Sequence, residues 1–272
     1  MEMNGHECVA FCEIDKYARQ SYKAMYDTTN EEELHDITKW TDEHVRQFIR
    51  DRGHIDCICG GFPCQSFSIA GKRGGFDDTR GTLFFEIMRI ASIVRPRYLF
   101  LENVKGLLNH DGGATFETIL NTLDEFGYDA EWQVLNSKNF GVPQTRGRIF
   151  IIGHNRREST ESIFPIEEKN GKSKVEAYDN VSRNGRERGN VYSTTGIAPC
   201  LTATDYKDPI KIVLPNGQYR RLTPIECWRL QGFTDEQFYK AKNDGVSDSQ
   251  LYKQAGNSVT VNVIDAIARK LI

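Results

Sequence analysis

Short apolar runs alternate with segments of helical period from residue 8 to residue 153, and this alternation constrains the fold of the 272-residue chain more than any other feature of it. Cys8-Val9-Ala10-Phe11-Cys12 predicts a strand ending at Glu13, with a helix from about Lys16 to Met25 after it. Leu34 to Ile37 reads as a short extended piece, Thr41 to Arg50 as a helix, and Asp56 to Cys59 as a buried strand. Leu83, Phe84, Ile87, Met88, Ala91 and Val94 recur with the 3.6-residue period, so 82–94 should be an amphipathic helix stopped by Pro96. Tyr98-Leu99-Phe100-Leu101 is too short for a helix and ends in Glu102-Asn103-Val104. Phe116, Ile119, Leu120 and Leu123 mark another helix, closed near Gly127, and further strands fall near Val134 and at Ile149 to Ile152. Elements of these lengths in this order imply an α/β fold with a mostly parallel sheet covered by helices on both faces.

The pattern breaks after Gly153. From Arg156 to about Arg220 polar and charged residues dominate, and strand candidates at Ala198 to Ala203 and Ile210 to Leu214 stand among turns. A stretch of this length is a small irregular domain or a functional insertion. Thr223 and Pro224 then open a helix to Leu230, as N-cap and first helical residue. Val259, Val263, Ile264, Ile267 and Leu271 predict a last helix packed on the sheet. This divides the chain into 1–154, 155–245 and 246–272.

In an open parallel sheet, ligands bind at the carboxyl ends of the strands. Four side chains stand at such ends: Glu13, Asp36, Cys64 and Glu102. Cys64 follows Gly60-Gly61, which release the backbone, and Pro63, which fixes φ just before the sulfur. After it, Gly71-Lys72-Arg73-Gly74-Gly75 is glycine-rich and basic, suited to move and to meet a phosphate backbone. Cys64 is therefore a candidate nucleophile, with the buried-hydrophobe reading common to most free cysteines beside it. Cys57 and Cys59 take the second reading. No His or second cysteine pair stands near them at zinc-finger spacing, so no metal is expected.

The seven cysteines are an odd number in a chain too large to need staples, which predicts reduced thiols. No apolar run approaches the roughly 18 residues of a membrane helix, and no signal-peptide pattern opens the chain, so a cytoplasmic protein is expected. The formal charge is −3, but residues 154–221 carry 12 Lys or Arg against 9 Asp or Glu, a local +3 that leaves −6 elsewhere. That surplus suits either a solvated face or a nucleic-acid contact. An acid placed like Glu13 binds a ribose hydroxyl in such folds, with a glycine-rich turn about 20 residues earlier. Only Gly5 precedes it here, so the first strand and its glycine turn are expected to be missing.

At this point the motifs resemble, over nearly the whole chain, the DNA (cytosine-5)-methyltransferases. Gly60-Gly61-Phe62-Pro63-Cys64-Gln65-Ser66-Phe67-Ser68 looks like the family's nucleophile motif, and Glu102-Asn103-Val104 like its glutamate motif. Gln144-Thr145-Arg146-Gly147-Arg148 matches its Q-x-R-x-R motif; Arg221 to Cys227 and Gln254-Ala255-Gly256-Asn257-Ser258-Val259 match the last two. The resemblance implies a Rossmann-like catalytic domain over 1–154, a target-recognition domain over 155–245, and a C-terminal helix over 246–272 returning to the first. It implies methyl transfer from S-adenosyl-L-methionine to carbon 5 of a cytosine flipped out of double-stranded DNA, in restriction-modification.

By the same resemblance Cys64 is the nucleophile, Glu102 the acid at N3, and Arg146 and Arg148 hold the base oxygen and nearby backbone. Glu13, Ile14, Asp36, Ile37, Pro63, Asn257, Ser258 and Val259 would contact the cofactor. Gln65, Ser66, Ser68, Lys72, Arg73 and Gln144 would meet DNA, joined by Thr204, Tyr206 and Lys207 in the recognition segment, where Cys200-Leu201 stands in place of the Thr-Leu of many relatives. A monomer with a cognate restriction endonuclease is expected. The missing start implies weak or absent cofactor binding, and a truncated DNA-binding remnant is the alternative reading.

Overall fold

The computed structural model describes residues 1–63, 83–168, 177–180 and 190–271. Strands β1 (Ala10–Cys12) and β2 (Glu32–Leu34) run parallel, Cys12 beside Leu34, with helix α1 (Lys16–Met25) between them. Asp15 caps α1 by accepting the Tyr17 N–H at 2.9 Å. Thr41 caps α2 (Asp42–Arg52), whose acidic first turn and basic last turn both complement the helix dipole.

Strand β3 (Cys57–Gly61), helix α3 (Leu83–Val94), strand β4 (Tyr98–Val104), helix α4 (Ala114–Glu125), and strands β5 (Tyr128–Asn136) and β6 (Gly147–Asn155) follow. They form a sheet in the order β3-β4-β6-β5. Along β4 the two-residue period sends side chains to opposite faces. Leu99 and Leu101 pack with Phe84 and Met88 of α3, Ile119 and Leu123 of α4, and Ile149 and Ile151 of β6. Tyr98 and Phe100 pack on the other face with Phe150, Ile152, Val263, Ile267 and Leu271. Each such fully buried side chain contributes roughly 1.5–3 kcal/mol.

Two expectations about this sheet are corrected. It is mixed: β3 and β4 are parallel, but β6 is antiparallel to both β4 and β5. Residues 137–146, which join β5 to β6, contain only a single turn of 3-10 helix, and a connection that short cannot carry the chain over the sheet for a parallel return. The strand at Asp56 to Cys59 is also only partly buried. Among the described residues β3 pairs on one side only, with β4, and it leaves Cys57 half-buried and Cys59 exposed, their Sγ atoms 3.6 Å apart on one face. β1 and β2 form a separate parallel pair.

Beyond residue 155, β7 (Ala177–Asn180), β8 (Asn190–Tyr192), β9 (Lys211–Val213) and β10 (Tyr219–Arg221) make a second small sheet, ordered β10-β9-β8-β7. The strand expected at Ala198 to Ala203 is instead one isolated bridge, Gln144 to Ala198, followed by turns. Helix α5 (Pro224–Leu230) starts as expected, with Thr223 and Glu226 forming a capping box. Two further helices, α6 (Asp235–Asn243) and α7 (Asp248–Asn257), were not anticipated. The last helix, α8 (Val261–Ala268), starts two residues later than the apolar periodicity suggests because Ser258 and Thr260 are extended. Trp228, Phe238, Leu251 and Ala255 give α5–α7 their own core, which also takes in Leu201 and Leu222. No helix among the described residues is long and apolar enough to cross a membrane.

Gly256, in the last turn of α7, lies against backbone. A Cβ there would stand 2.2 Å from the Thr202 carbonyl carbon and oxygen and 2.4 Å from the Ala203 nitrogen. Main chain cannot swing aside as a side chain can, so Gly256→Ala should destabilise the protein by about 3 kcal/mol. That corresponds to a fall in Tm of roughly 6–12 °C by calorimetry. A Tm close to that of the parent would show that α7 and the 202–203 segment do not pack in this way.

Candidate active site

The site is built where β3 and β4 end side by side. In parallel register Gly61 stands beside Glu102, and a Cβ on Gly61 would come within 3.1 Å of Glu102 Oε2, so the glycine leaves room for the carboxyl over the end of β3. Arg148, on the neighbouring β6, sets its Nε 3.0 Å from Glu102 Oε1, with both side chains mostly shielded from water. Burial pushes the Glu102 carboxyl above the ordinary carboxylate value, and the charges of Arg148 and Arg146 draw it back without cancelling the rise. A carboxyl held in this way can donate a proton and then be stabilised as the anion.

Asn103 is buried next to it. Its Nδ2 donates to the Phe62 carbonyl at 2.7 Å and its Oδ1 accepts the Val104 N–H at 2.8 Å. Phe62 in turn packs its ring on Phe84, centroids 5.1 Å apart. The backbone two residues before Cys64 is thereby tied to the residue after Glu102. Cys64 itself, with Gln65, Ser66, Ser68, Lys72 and Arg73, lies outside the described residues; Pro63 is the last one before it and is exposed. The sequence motif Glu102-Asn103-Val104 assigns Asn103 no role of its own. The available signal is an amide near the end of a buried strand, where a buried polar group requires a partner.

Arg146 and Gln144 face inward. The Arg146 guanidinium donates to the carbonyls of Leu201, Gly256 and Ser258 at 2.8–3.0 Å and to Cys200 Sγ at 3.2 Å. Burial first, and then the like charge of Arg148, draw its pKa below the usual guanidinium value. Gln144 is fully buried, accepting the Leu201 N–H and donating to the Leu230 carbonyl, both at 2.9 Å. In these positions both side chains bond main-chain groups of the protein itself.

The cofactor candidates fall in two places. Glu13 and Ile14 follow β1, and Asp36 and Ile37 follow β2, brought side by side by the Glu13 N–H donating to the Leu34 carbonyl at 3.0 Å. Glu13 Oε1 takes the Asp15 N–H and Asp36 Oδ1 takes the Thr38 N–H and hydroxyl, leaving Glu13 Oε2 and Asp36 Oδ2 without a hydrogen bond among the described residues. Ile14 is 74% exposed between them, while Ile37 packs toward the core. Two acceptors around an exposed apolar side chain fit the hydroxyls and flat base of an adenosine. Asn257 is exposed, Ser258 gives its carbonyl to Arg146, and Val259 packs on the second face of the sheet.

Thr204, Tyr206 and Lys207 sit on the turns after Thr202, whose N–H and hydroxyl both donate to Asp205. Tyr206 is 40% exposed, with the Lys207 ammonium 5.6 Å from its ring centroid. That is an exposed aromatic and cation on a segment braced by Gly256. No group of three His, Cys, Asp or Glu among the described residues could hold a metal ion.

The model of the C-5 cytosine-specific DNA methylase family matches residues 1–195 and 155–272. The type II methyltransferase M1.ScrFI of Lactococcus lactis subsp. cremoris is 38% identical over 96% of this chain and 70% of its own length. M.HpaII of Haemophilus parainfluenzae, also a type II methyltransferase, is 37% identical over 100% of this chain and 85% of its own. The crystal structure of the S. pombe Dnmt2 methyltransferase superposes with a TM-score of 0.72 over 97% of this chain and 90% of its own, at 18% identity, a likeness of fold.

Proposed function

Because the chain belongs to the C-5 cytosine-specific DNA methylase family, and is a DNA (cytosine-5)-methyltransferase of the type II kind, we propose that it modifies cytosine through a covalent adduct of Cys64. The observation that carries the assignment is the coupling of Glu102 to the nucleophile strand. Its buried carboxyl is paired with Arg148 and overhangs Gly61, while Asn103 holds the peptide that leads to Cys64.

Carbon 5 of cytosine is a weak nucleophile. The Cys64 thiolate adds to carbon 6 as the Glu102 proton moves to N3, so no full negative charge builds in the ring and carbon 5 becomes enamine-like. Arg148 stabilises the carboxylate that Glu102 leaves behind. Once carbon 5 carries the methyl group, a water molecule takes its proton, the electron pair of that C–H bond closes the C5–C6 double bond, the C6–S bond breaks to expel the thiolate, and the N3 proton returns to Glu102. When bound, S-adenosylmethionine supplies an electrophilic methyl carbon on a sulfonium. Glu13, Asp36 and Ile14 would hold its adenosine, and we assign Ile37, Pro63, Asn257, Ser258 and Val259 to the rest of the cofactor site.

The target base must leave the duplex to reach these groups. We assign base reading to residues 155–245, with Thr204, Tyr206 and Lys207 foremost, and backbone contact to Gln65, Ser66, Ser68, Lys72 and Arg73. In this reading the protein works on double-stranded DNA as a cytoplasmic monomer beside a cognate endonuclease. Incubation with S-adenosylmethionine and mixed-sequence DNA, followed by base-resolution detection of 5-methylcytosine, should show methylation confined to one short sequence. DNA binding with no 5-methylcytosine would replace this reading with that of a DNA-binding remnant.

Loss of the Asn103 amide frees the peptide before Cys64 while leaving Glu102 in place. A misplacement of about 1 Å at a reacting group costs roughly 100-fold. Asn103→Ala is therefore expected to slow single-turnover methyl transfer by roughly 10–100-fold, with DNA binding retained in a gel-shift assay. A parent-like rate would remove Asn103 from the scheme.

A further inference from the structure

One buried cation gathers three parts of the chain that are distant in sequence. Residues 143–146 hold residues 198–201 through a short ladder: Ala198 N–H to the Pro143 carbonyl at 2.8 Å, Thr145 N–H to the Ala198 carbonyl at 2.9 Å, and the Gln144 amide on Leu201. Arg146 closes that ladder and ties it to the end of α7 through the carbonyls of Gly256 and Ser258. Its own main chain is fixed as well, the N–H on Asn136 Oδ1 at 3.1 Å and the carbonyl accepting the Ser137 N–H at 3.0 Å. Only Gly147 separates it from Arg148, which pairs with Glu102. The Arg146 Nε is buried without a partner among the described residues.

A buried guanidinium that faces carbonyls instead of a carboxylate is costly, and a leucine or methionine would fill the volume without that cost. What the cation provides is directional: a planar fork that can satisfy two segments at once, which a lysine ammonium on a flexible stem cannot do. The segments it joins are the end of α7 and the one that leads into Thr204, Tyr206 and Lys207, and its own main chain runs through Gly147 into Arg148.

We propose that Arg146 is a positioning residue that couples the seating of residues 198–207 on DNA to the placement of Arg148 against Glu102, so that the chemical step runs fastest when the correct sequence lies under that segment. Arg146 then contributes to sequence discrimination without touching a base. The inference rests on the methyltransferase reading above.

The test compares the parent with Arg146→Lys, which keeps the charge, on mixed-sequence DNA under single-turnover conditions, counting 5-methylcytosine at the preferred sequence and at all others. The ratio of the two rates should fall about tenfold, the size of an ordinary coupling between sites. Gln144→Met, which removes the amide that accepts the Leu201 N–H without altering the cation, should lower the ratio in the same direction and serves as the second arm if Arg146→Lys does not fold. Equal loss at preferred and other sequences in either folded variant, or an unchanged ratio, overturns the inference. Absence of 5-methylcytosine from the parent chain overturns the methyltransferase reading and the inference with it.

Discussion

Cys64→Ala is expected to abolish methyl transfer, lowering the rate by roughly four orders of magnitude or more, as loss of a covalent nucleophile does in other enzymes. Glu102, Arg148 and the cofactor contacts can polarise a cytosine, but without a thiolate at carbon 6 they cannot make carbon 5 nucleophilic. The side chain is small and follows a peptide anchored by Asn103 and Phe62, so the fold and DNA binding should persist. DNA carrying 5-fluorocytosine offers a second readout, because fluorine cannot leave carbon 5 as a proton does and the adduct accumulates. The parent should give a protein–DNA band stable in denaturant, and Cys64→Ala should give none. Transfer at the parent rate by the alanine variant would exclude Cys64 as the nucleophile.

Glu102→Gln is expected to lower kcat by roughly 100–1000-fold. Glutamine can still donate a hydrogen bond to N3 but has no proton to give up at pH 7. The pH dependence distinguishes this role from a structural one. Burial raises the Glu102 pKa in the folded protein, so the acid form persists above the ordinary carboxylate range, and kcat should fall as pH rises through the raised value. The glutamine variant should lack that limb.

Stability follows the same sign. The folded state binds the Glu102 proton more tightly than the unfolded chain, so its contribution is fully present below the unfolded pKa and is lost as pH rises through the folded one. Urea denaturation should therefore show Glu102→Gln gaining stability relative to the parent as pH increases across that window. A difference that does not change with pH would mean that the carboxyl is not held in the acid form by its burial.

The candidate chemistry was legible in the linear sequence because it lies in short contiguous motifs at strand ends. A glycine pair before Pro63-Cys64, an apolar run ending in Glu102, and two arginines spaced two apart before an apolar strand are patterns of local residues. The helices were legible for the same reason. Apolar spacing from Leu83 to Val94 and the Thr223-Pro224 start each reflect interactions within a few residues, and both elements form where expected. Helices α6 and α7 were missed because their apolar positions are few, and their faces are completed by Trp228 and Leu222 from elsewhere.

Sequence by itself determined which residues carry the candidate chemistry and the α/β class, since periodicity and strand-end motifs are properties of neighbours along the chain. Tertiary structure alone decided strand direction and the orientation of side chains. The short link from β5 to β6 turns that edge of the sheet antiparallel, and among the described residues β3 pairs on one side only, which leaves Cys59 exposed. Gln144 and Arg146 turn inward because the carbonyls of Leu201, Leu230, Gly256 and Ser258 converge on them. Hydrogen bonds spanning 55 to 112 residues leave no periodic trace in a sequence, because a backbone carbonyl is the same group whatever side chain it carries.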